Sequence, residues 1–248
     1  MRDPETKTME RGVAHVWTAE PIPAARVLHL LDADERHRLT RFRFERDANS
    51  FASAHALTRL ALSGAKPHIL PSAWSFRTAE FGKPELSFPS ELRFNLSHTR
   101  GLVAAATLVG AEVGVDVEAI GTREVAEELR ERVLSPLESE TLDALATHQQ
   151  AERFFSIWAL KESYIKARGL GLRLPLKEIS FAFHRRSRAS LSETPRADAD
   201  APADWKVHLQ RLGEPTHALG VTAGRVDGGG PEIHVTHVDL ATLAQSAR

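Results

Sequence analysis

The chain has 248 residues, enough to bury a substantial core as one large domain or two packed smaller ones. Its 32 Lys and Arg against 33 Asp and Glu give a formal net charge of -1, which excludes a protein that blankets nucleic acid with positive charge. Without cysteine, disulfides, thiolate metal sites and cysteine nucleophiles are excluded, and a reducing cytoplasm is the expected compartment. Met1 to Glu5 lead into a charged segment with no apolar stretch behind it, and no window reaches membrane-spanning length, so a soluble protein is expected.

In chain order, Val13 to Trp17 alternates weakly and predicts a short first strand. Asp32 to Arg46 is dense in charge and begins as a helix, and from Asp47 to Leu62 the spacing of Phe51, Ala54, Leu57, Leu60 and Ala61 predicts an amphipathic helix. Gly64 to Pro71 ends it before a short strand at Trp74 to Phe76, and Pro84 and Pro89 punctuate a loop before alternation returns at Leu92 to Leu96. Val103 to Val109 is apolar nearly throughout, as in a strand covered on both faces, and Gly110-Ala111 separates it from a second strand at Val113 to Val117.

Thr122 to Leu134 is helical in pattern, and Pro136 opens the next helix, which Glu138 to Gln150 continues. Ala151 to Arg168 is the clearest helix, with Phe154, Ile157, Trp158 and Ile165 on one stripe and Gly169 as its stop. Beyond Leu176, Ile179 to Phe183, Val207 to Leu209, Ala218 to Thr222 and Ile233 to Val238 read as strands, Ser190 to Ala203 as a mobile surface loop, and Gly228 to Pro231 as a turn. Each half therefore holds one or two helices and several short strands, an α+β fold of two units meeting at an interface.

Gly114-Val115-Asp116-Val117-Glu118 places two carboxylates on one face of an apolar strand. Like charges that close repel unless a cation sits between them. The pattern fits either an edge strand with one wet face or a site for a hard metal. Glu162, at the margin of the apolar helical stripe, is the third candidate oxygen ligand, and Mg²⁺ is the cation such carboxylates would suit. Zinc is disfavoured because no histidine pair has close ligand spacing here. Glu162 and Lys166 fit a simple i,i+4 surface pair as well, whereas Lys161 falls inside the stripe and must snorkel or meet a buried anion.

Asn95 to Thr99 ends a strand in small polar groups, and Ser97 and His98 could hold a phosphate or merely cap a turn. A serine hydrolase pair is rejected, since adjacent side chains on a strand point to opposite faces. Phe81-Gly82-Lys83-Pro84 offers a further cation on a turn stiffened by proline. From these residues alone the chain reads as a phosphate-handling Mg²⁺ enzyme.

Phe94-Asn95-Leu96-Ser97-His98, then Gly114 to Glu118, then Trp158-Ala159-Leu160-Lys161-Glu162-Ser163-Tyr164-Ile165-Lys166 resemble, in order and spacing, the three signatures of the 4'-phosphopantetheinyl transferases, in particular the long, monomeric surfactin-synthetase-activating type. Phe81 to Pro84 matches that type too, and the resemblance spans roughly Leu31 to Leu176. It implies a pseudodimer of two similar lobes, residues 1–111 and 112–248, each a small, mainly antiparallel sheet packed with helices, with coenzyme A as substrate between them. It further implies Mg²⁺ held by Asp116, Glu118 and Glu162, with Lys166 at the diphosphate and Ser97, His98, Lys83, Pro84 and Arg38 around the coenzyme. The implied partner is an apo acyl- or peptidyl-carrier protein whose serine receives phosphopantetheine, with release of adenosine 3',5'-bisphosphate; neither nucleic acid nor membrane is expected. The alternatives are a non-catalytic carrier-protein or coenzyme A binding module and another Mg²⁺-dependent pyrophosphate-cleaving enzyme. One departure stands out: Ser50 and Glu35 occupy positions where the family carries basic residues for the 3'-phosphate, leaving Arg38 as the nearest match with Arg41 and Arg46 as neighbours.

Overall fold

The computed structural model describes residues 11–247 except 122–124, 186–187, 197–200 and 214–215. In chain order it contains β1 (Val13–Ala19), α1 (Ala33–Leu39), α2 (Glu45–Ala65), β2 (Phe76–Thr78), β3 (Pro84–Leu86), β4 (Leu92–Thr99), β5 (Leu102–Val109) and β6 (Val113–Ala119). There follow α3 (Glu127–Val133), α4 (Pro136–Asp143), α5 (Thr147–Arg168), β7 (Ser180–Arg185), β8 (Arg188–Glu193), β9 (Trp205–Leu212), β10 (His217–Gly224), β11 (Glu232–His237) and α6 (Leu240–Ser246).

Two sheets carry the architecture. The first runs β11-β1-β5-β4, antiparallel except for the β1–β11 pair, and the second runs β6-β10-β9, antiparallel throughout. Strand alternation sorts β5 cleanly: Val103 and Ala105 pack with Ala52, Ala56 and Leu57 of α2, while Ala104, Ala106 and Leu108 pack with Val113, Val115 and Val117 of β6 and Leu219 and Val221 of β10. The layers are therefore α2, first sheet, second sheet and, on the far face, α5. The expected α+β class with small antiparallel sheets packed by helices is what the chain adopts.

Where β6 runs past β4, side chains rather than a strand satisfy its free edge. The Val115 N–H donates to Asn95 Oδ1 at 3.0 Å, and the Val117 N–H reaches Ser97 Oγ at 3.4 Å. This joint between the sheets sets the height of Asp116 relative to β4.

α5 lies unusually close to the second sheet. A Cβ at Gly114 would sit 2.0 Å from the Ser163 carbonyl oxygen and 2.5 Å from the Ala167 nitrogen, and one at Gly220 would sit 2.4 Å from the Ala159 carbonyl oxygen. Only glycine permits that backbone approach. Under α2, the fully buried Arg59 donates to Glu35 at 2.8 Å and to the carbonyls of Pro71 at 2.9 Å and Trp74 at 2.8 Å, and it pairs with Asp32. Asp32 and Glu35 also form the capping box of α1, so one guanidinium ties α1, α2 and the 71–74 turn together.

Four expectations are corrected. Residues 190–193, the start of the expected surface loop, belong to β8, which pairs with β7: Leu191 is buried in an apolar cluster, and the polar flanks hid its short alternation. Residues 197–200 of the same stretch lie outside the described residues, as do residues 122–124 of the third predicted helix and residues 1–10. The helix predicted to run from Pro136 to Gln150 breaks, because Ala146 adopts extended backbone (ψ 141°) before α5 starts. α2 starts at Glu45, two residues ahead of the expected Asp47. The segment 112–248 does not stay with the second sheet, since β11 returns to pair in parallel with β1 and Leu240 and Ala244 of α6 join the cluster under α2. No helix among the described residues is long and apolar enough to cross a membrane.

The glycine seat is testable. Gly114→Ala and Gly220→Ala are each expected to lower unfolding free energy by about 1–3 kcal/mol or more, as overpacking against backbone does, read from urea midpoints. The Arg59 cluster gives a second test: Glu35→Gln, leaving the guanidinium partly uncompensated, should cost on the order of 3 kcal/mol. Hydrogen bonding and attraction from His55, then Arg59, outweigh burial and hold the Glu35 pKa below its ordinary value. Its stabilisation is therefore full above the unfolded carboxylate pKa and lost as pH falls through the lower folded one, so the wild-type acid limb should flatten in Glu35→Gln.

Candidate active site

β6 presents Gly114, Asp116 and Glu118 on the face that meets α5, and the glycine seat brings Glu162 and Lys166, one helical turn apart, over the two carboxylates. Asp116 is 4% exposed. Its Oδ1 accepts from Lys166 Nζ at 2.6 Å and from Ser97 Oγ at 2.8 Å, and Lys166 also donates to Ser97 Oγ at 3.0 Å. Oδ2 is buried with no hydrogen-bond partner among the described residues. The three sequence blocks, separate along the chain, thus meet on one carboxylate.

The acids around it resist ionisation. Burial first, then the charge of Asp116, then that of Glu162 push Glu118 up to about 7, against the pull of Lys166 and a hydrogen bond from Trp158. Glu162 is raised by the same causes, burial ahead of Asp116. Among the described residues no three acidic or histidine side chains converge closely enough to hold a metal ion as they stand. Lys166 occupies one oxygen of Asp116, and the carboxylates are near enough to repel without sharing a point.

His98 projects into a cleft of about 1130 Å³ walled by Phe42, Arg46, Ser50, Arg100, His217 and His237 among others. Its ring is open to the cleft, yet surrounding atoms, then His55, then Lys166 hold its pKa below the ordinary value. The structure does not bring every expected residue here. Lys83 and Pro84 line a separate cavity of about 610 Å³, and Lys83 spends its ammonium on Glu112 at 2.6 Å and the Ala167 carbonyl at 2.8 Å. The Arg38 guanidinium lies 4.8 Å from the Phe51 ring centroid, on an aromatic stack that continues to His55 at 4.1 Å. The hydroxyl of Ser97, expected at a phosphate, donates to Asp116.

Two further placements explain sequence oddities. Glu35 points into the protein toward Arg59 and His55, so its acid is a scaffold group, whereas Ser50 lies in the cleft wall. Lys161 is fully buried and meets an anion, Glu138, at 2.6 Å, with the Val133 and Leu176 carbonyls completing its shell at 2.6 and 2.8 Å. Burial lowers its pKa and Glu138 opposes this. Trp158, assigned by pattern to the apolar stripe, is the partner of Glu118; its place four residues before Glu162 was the available signal. Arg100 and the two cleft histidines carried none, because two strands of the other half and a turn deliver them.

Residues 112–222 match the model of the 4'-phosphopantetheinyl transferase superfamily. A 4'-phosphopantetheinyl transferase of Bacillus subtilis is 34% identical over 172 residues, covering 66% of this chain and 73% of that protein. The chain belongs to the 4'-phosphopantetheinyl transferase superfamily. 4'-Phosphopantetheinyl transferase HetI of Nostoc sp. is 31% identical over 200 residues, covering 77% and 83%, and 4'-phosphopantetheinyl transferase Sfp of Bacillus subtilis (strain 168) is 29% identical over 202 residues, covering 82% and 86%. Among solved structures, a holo-(acyl-carrier-protein) synthase from Bacillus anthracis in complex with CoA (3',5'-ADP) aligns with 46% of this chain and 95% of its own, at 20% identity and a TM-score of 0.37.

In this transferase-family chain the crowded carboxylates should cost stability. A carboxyl whose folded pKa is raised binds its proton better when folded, so stability should fall as pH rises from about 4.5 through about 7 and level off above that. In the metal-free protein, kept so by a chelator, Glu118→Gln should therefore raise the urea midpoint at pH 8 and leave it nearly unchanged at pH 5.

Proposed function

We propose that this chain transfers the 4'-phosphopantetheine group of coenzyme A to the serine hydroxyl of an apo acyl- or peptidyl-carrier domain. The serine oxygen forms the new bond to phosphorus, the diphosphate bond breaks, and adenosine 3',5'-bisphosphate leaves with the charge of the broken bond. The observation that carries the reading is the meeting of Ser97, Asp116 and Lys166, from three distant sequence blocks, within hydrogen-bonding distance.

Asp116, Glu118 and Glu162 are the residues that would hold Mg²⁺. They fit it by chemistry: three hard oxygen donors, one of them the buried and unpartnered Asp116 Oδ2, and a mutual repulsion that a divalent cation relieves. Bound there, the ion supplies charge neutralisation at the diphosphate. Lys166, with its side chain 28% exposed, offers an ammonium to the phosphoryl oxygens. Glu162, half-buried one turn before it, is the base assigned to take the serine proton. His98 on the cleft wall, with Arg46 and Arg100, is assigned to the 3'-phosphate.

The resemblance to the long, monomeric type supports action as a monomer, and the coenzyme substrate suits the cytoplasm. No stretch of the chain is assigned to nucleic acid or membrane.

Incubation with coenzyme A, Mg²⁺ and a panel of apo carriers should add one phosphopantetheine mass to the carrier serine; a folded protein that modifies none of them overturns the reading. Asp116→Ala should lower the transfer rate by about 10²-fold or more while the circular dichroism spectrum stays native. His98→Ala should weaken coenzyme A about tenfold, as loss of a charge-assisted contact does, and dephospho-coenzyme A much less; equal losses remove the 3'-phosphate assignment.

A further inference from the structure

A cavity of about 600 Å³ opens where β8 runs beside β9. Its wall carries Arg188 and Lys206, with His184 and His208 beside them, and no carboxylate. The other openings differ: the cleft at His98 includes Glu20 and Asp47, and the cavity at Lys83 includes Glu85 and Glu112. Neither Arg188 nor Lys206 forms an ion pair with a described residue. The Nε1 donor of Trp205, on the same wall, is buried without an acceptor among the described residues. The complement to such a wall is an acceptor-rich anion.

The backbone narrows the kind of anion. β8 pairs with β7 and β9 with β10, and no backbone hydrogen bond joins β8 to β9 among the described residues, although the two strands are neighbours. Each therefore turns an unpaired edge toward the groove, and such an edge is a template for an added extended chain. Leu191 and Leu209, 7% and 5% exposed, close the floor, so alternate side chains of that added chain would meet apolar and cationic surface in turn. A second copy of this chain is disfavoured as the occupant, because a two-fold contact would set these cations against themselves.

We propose that this groove binds an extended segment of a partner protein rich in Asp and Glu, its carboxylates against Arg188 and Lys206 and its backbone along an open strand edge. The groove is separate from the candidate active site. Trp205 packs edge-on against Tyr164, 5.4 Å between ring centroids, and Tyr164 lies two residues from both Glu162 and Lys166, on the other side of α5. The inference does not rest on the transferase reading.

The probe is a fluorescent peptide alternating Glu and Val, with a matched peptide of Gln and Val, each added to the full chain and followed by fluorescence anisotropy. Wild type should bind the Glu peptide about tenfold or more tightly than the Gln peptide, and the difference should shrink as salt is raised. Arg188→Glu/Lys206→Glu should lose about tenfold or more of that affinity, and Arg188→Gln/Lys206→Gln less, both with a native circular dichroism spectrum. Amide hydrogen exchange should slow across 188–191 and 205–209 when the Glu peptide is bound. Equal binding of the two peptides, unchanged affinity in the charge-reversed variant, or protection confined to other residues overturns the proposal. Sedimentation that shows wild type dimerising with those same amides protected in the absence of peptide identifies a second copy as the occupant and overturns it too. Should the charge-reversed variant fail to fold, the Gln pair carries the same comparison.

Discussion

The close seat of α5 on the second sheet is the contact on which the rest depends. Backbone meets backbone at Gly114 and Gly220, so the helix lies lower than any side chain at those positions would permit. Because strand residues alternate, the face that carries Gly114 also carries Asp116 and Glu118. The lowered helix then delivers Lys166 to within 2.6 Å of Asp116 and Glu162 to within electrostatic reach. Lifting α5 by the thickness of one methyl group would undo both. The glycines at the sheet are thus as much a part of the site as its charges.

The molecule treats buried charge in two ways. In each half a cation lies under the long helix with its counter-charge complete: Arg59 of α2 with Asp32, Glu35 and two carbonyls, and Lys161 of α5 with Glu138 and two carbonyls. Glu138 in turn accepts from the Ser135 and Phe181 N–H groups, which joins α4 and β7 to α5. Such pairs cost roughly 3–5 kcal/mol when one partner is removed, and they hold the scaffold's register. Around Asp116 the account is left open, with more acids than cations and an oxygen without a partner. That unmatched charge is what the proposed Mg²⁺ would balance.

Much of the site was legible because its chemistry lies in short, regular stretches. Alternation at Gly114 to Glu118 needed only the period of a strand, and Glu162 and Lys166 only the period of a helix. The fold class followed from the same periods. Lys83 and Arg38 illustrate the limit: each is a cation in a suggestive segment, yet one is bound by Glu112 and the other lies on Phe51, and both partners come from elsewhere in the chain. The β8 strand was hidden because a polar, small-residue segment needs only one buried side chain, Leu191, to be fixed against a partner. The return of β11 to the first sheet was equally hidden, since pairing of residues 13–18 with 232–237 leaves no local trace.

By itself the amino-acid sequence determined the periodic elements, the types of the acids and cations, and through three ordered blocks the family. Those properties are local, set by backbone geometry and by which side chains repeat on one face. Tertiary structure alone decided which cation meets which carboxylate, that the Ser97 hydroxyl donates to Asp116, that Glu35 serves the scaffold, and that Trp158 meets Glu118. Hydrogen bonds and ion pairs act over about 3 Å, whereas the residues that make them stand tens of positions apart, and only packing of the helices on the two sheets closes that distance.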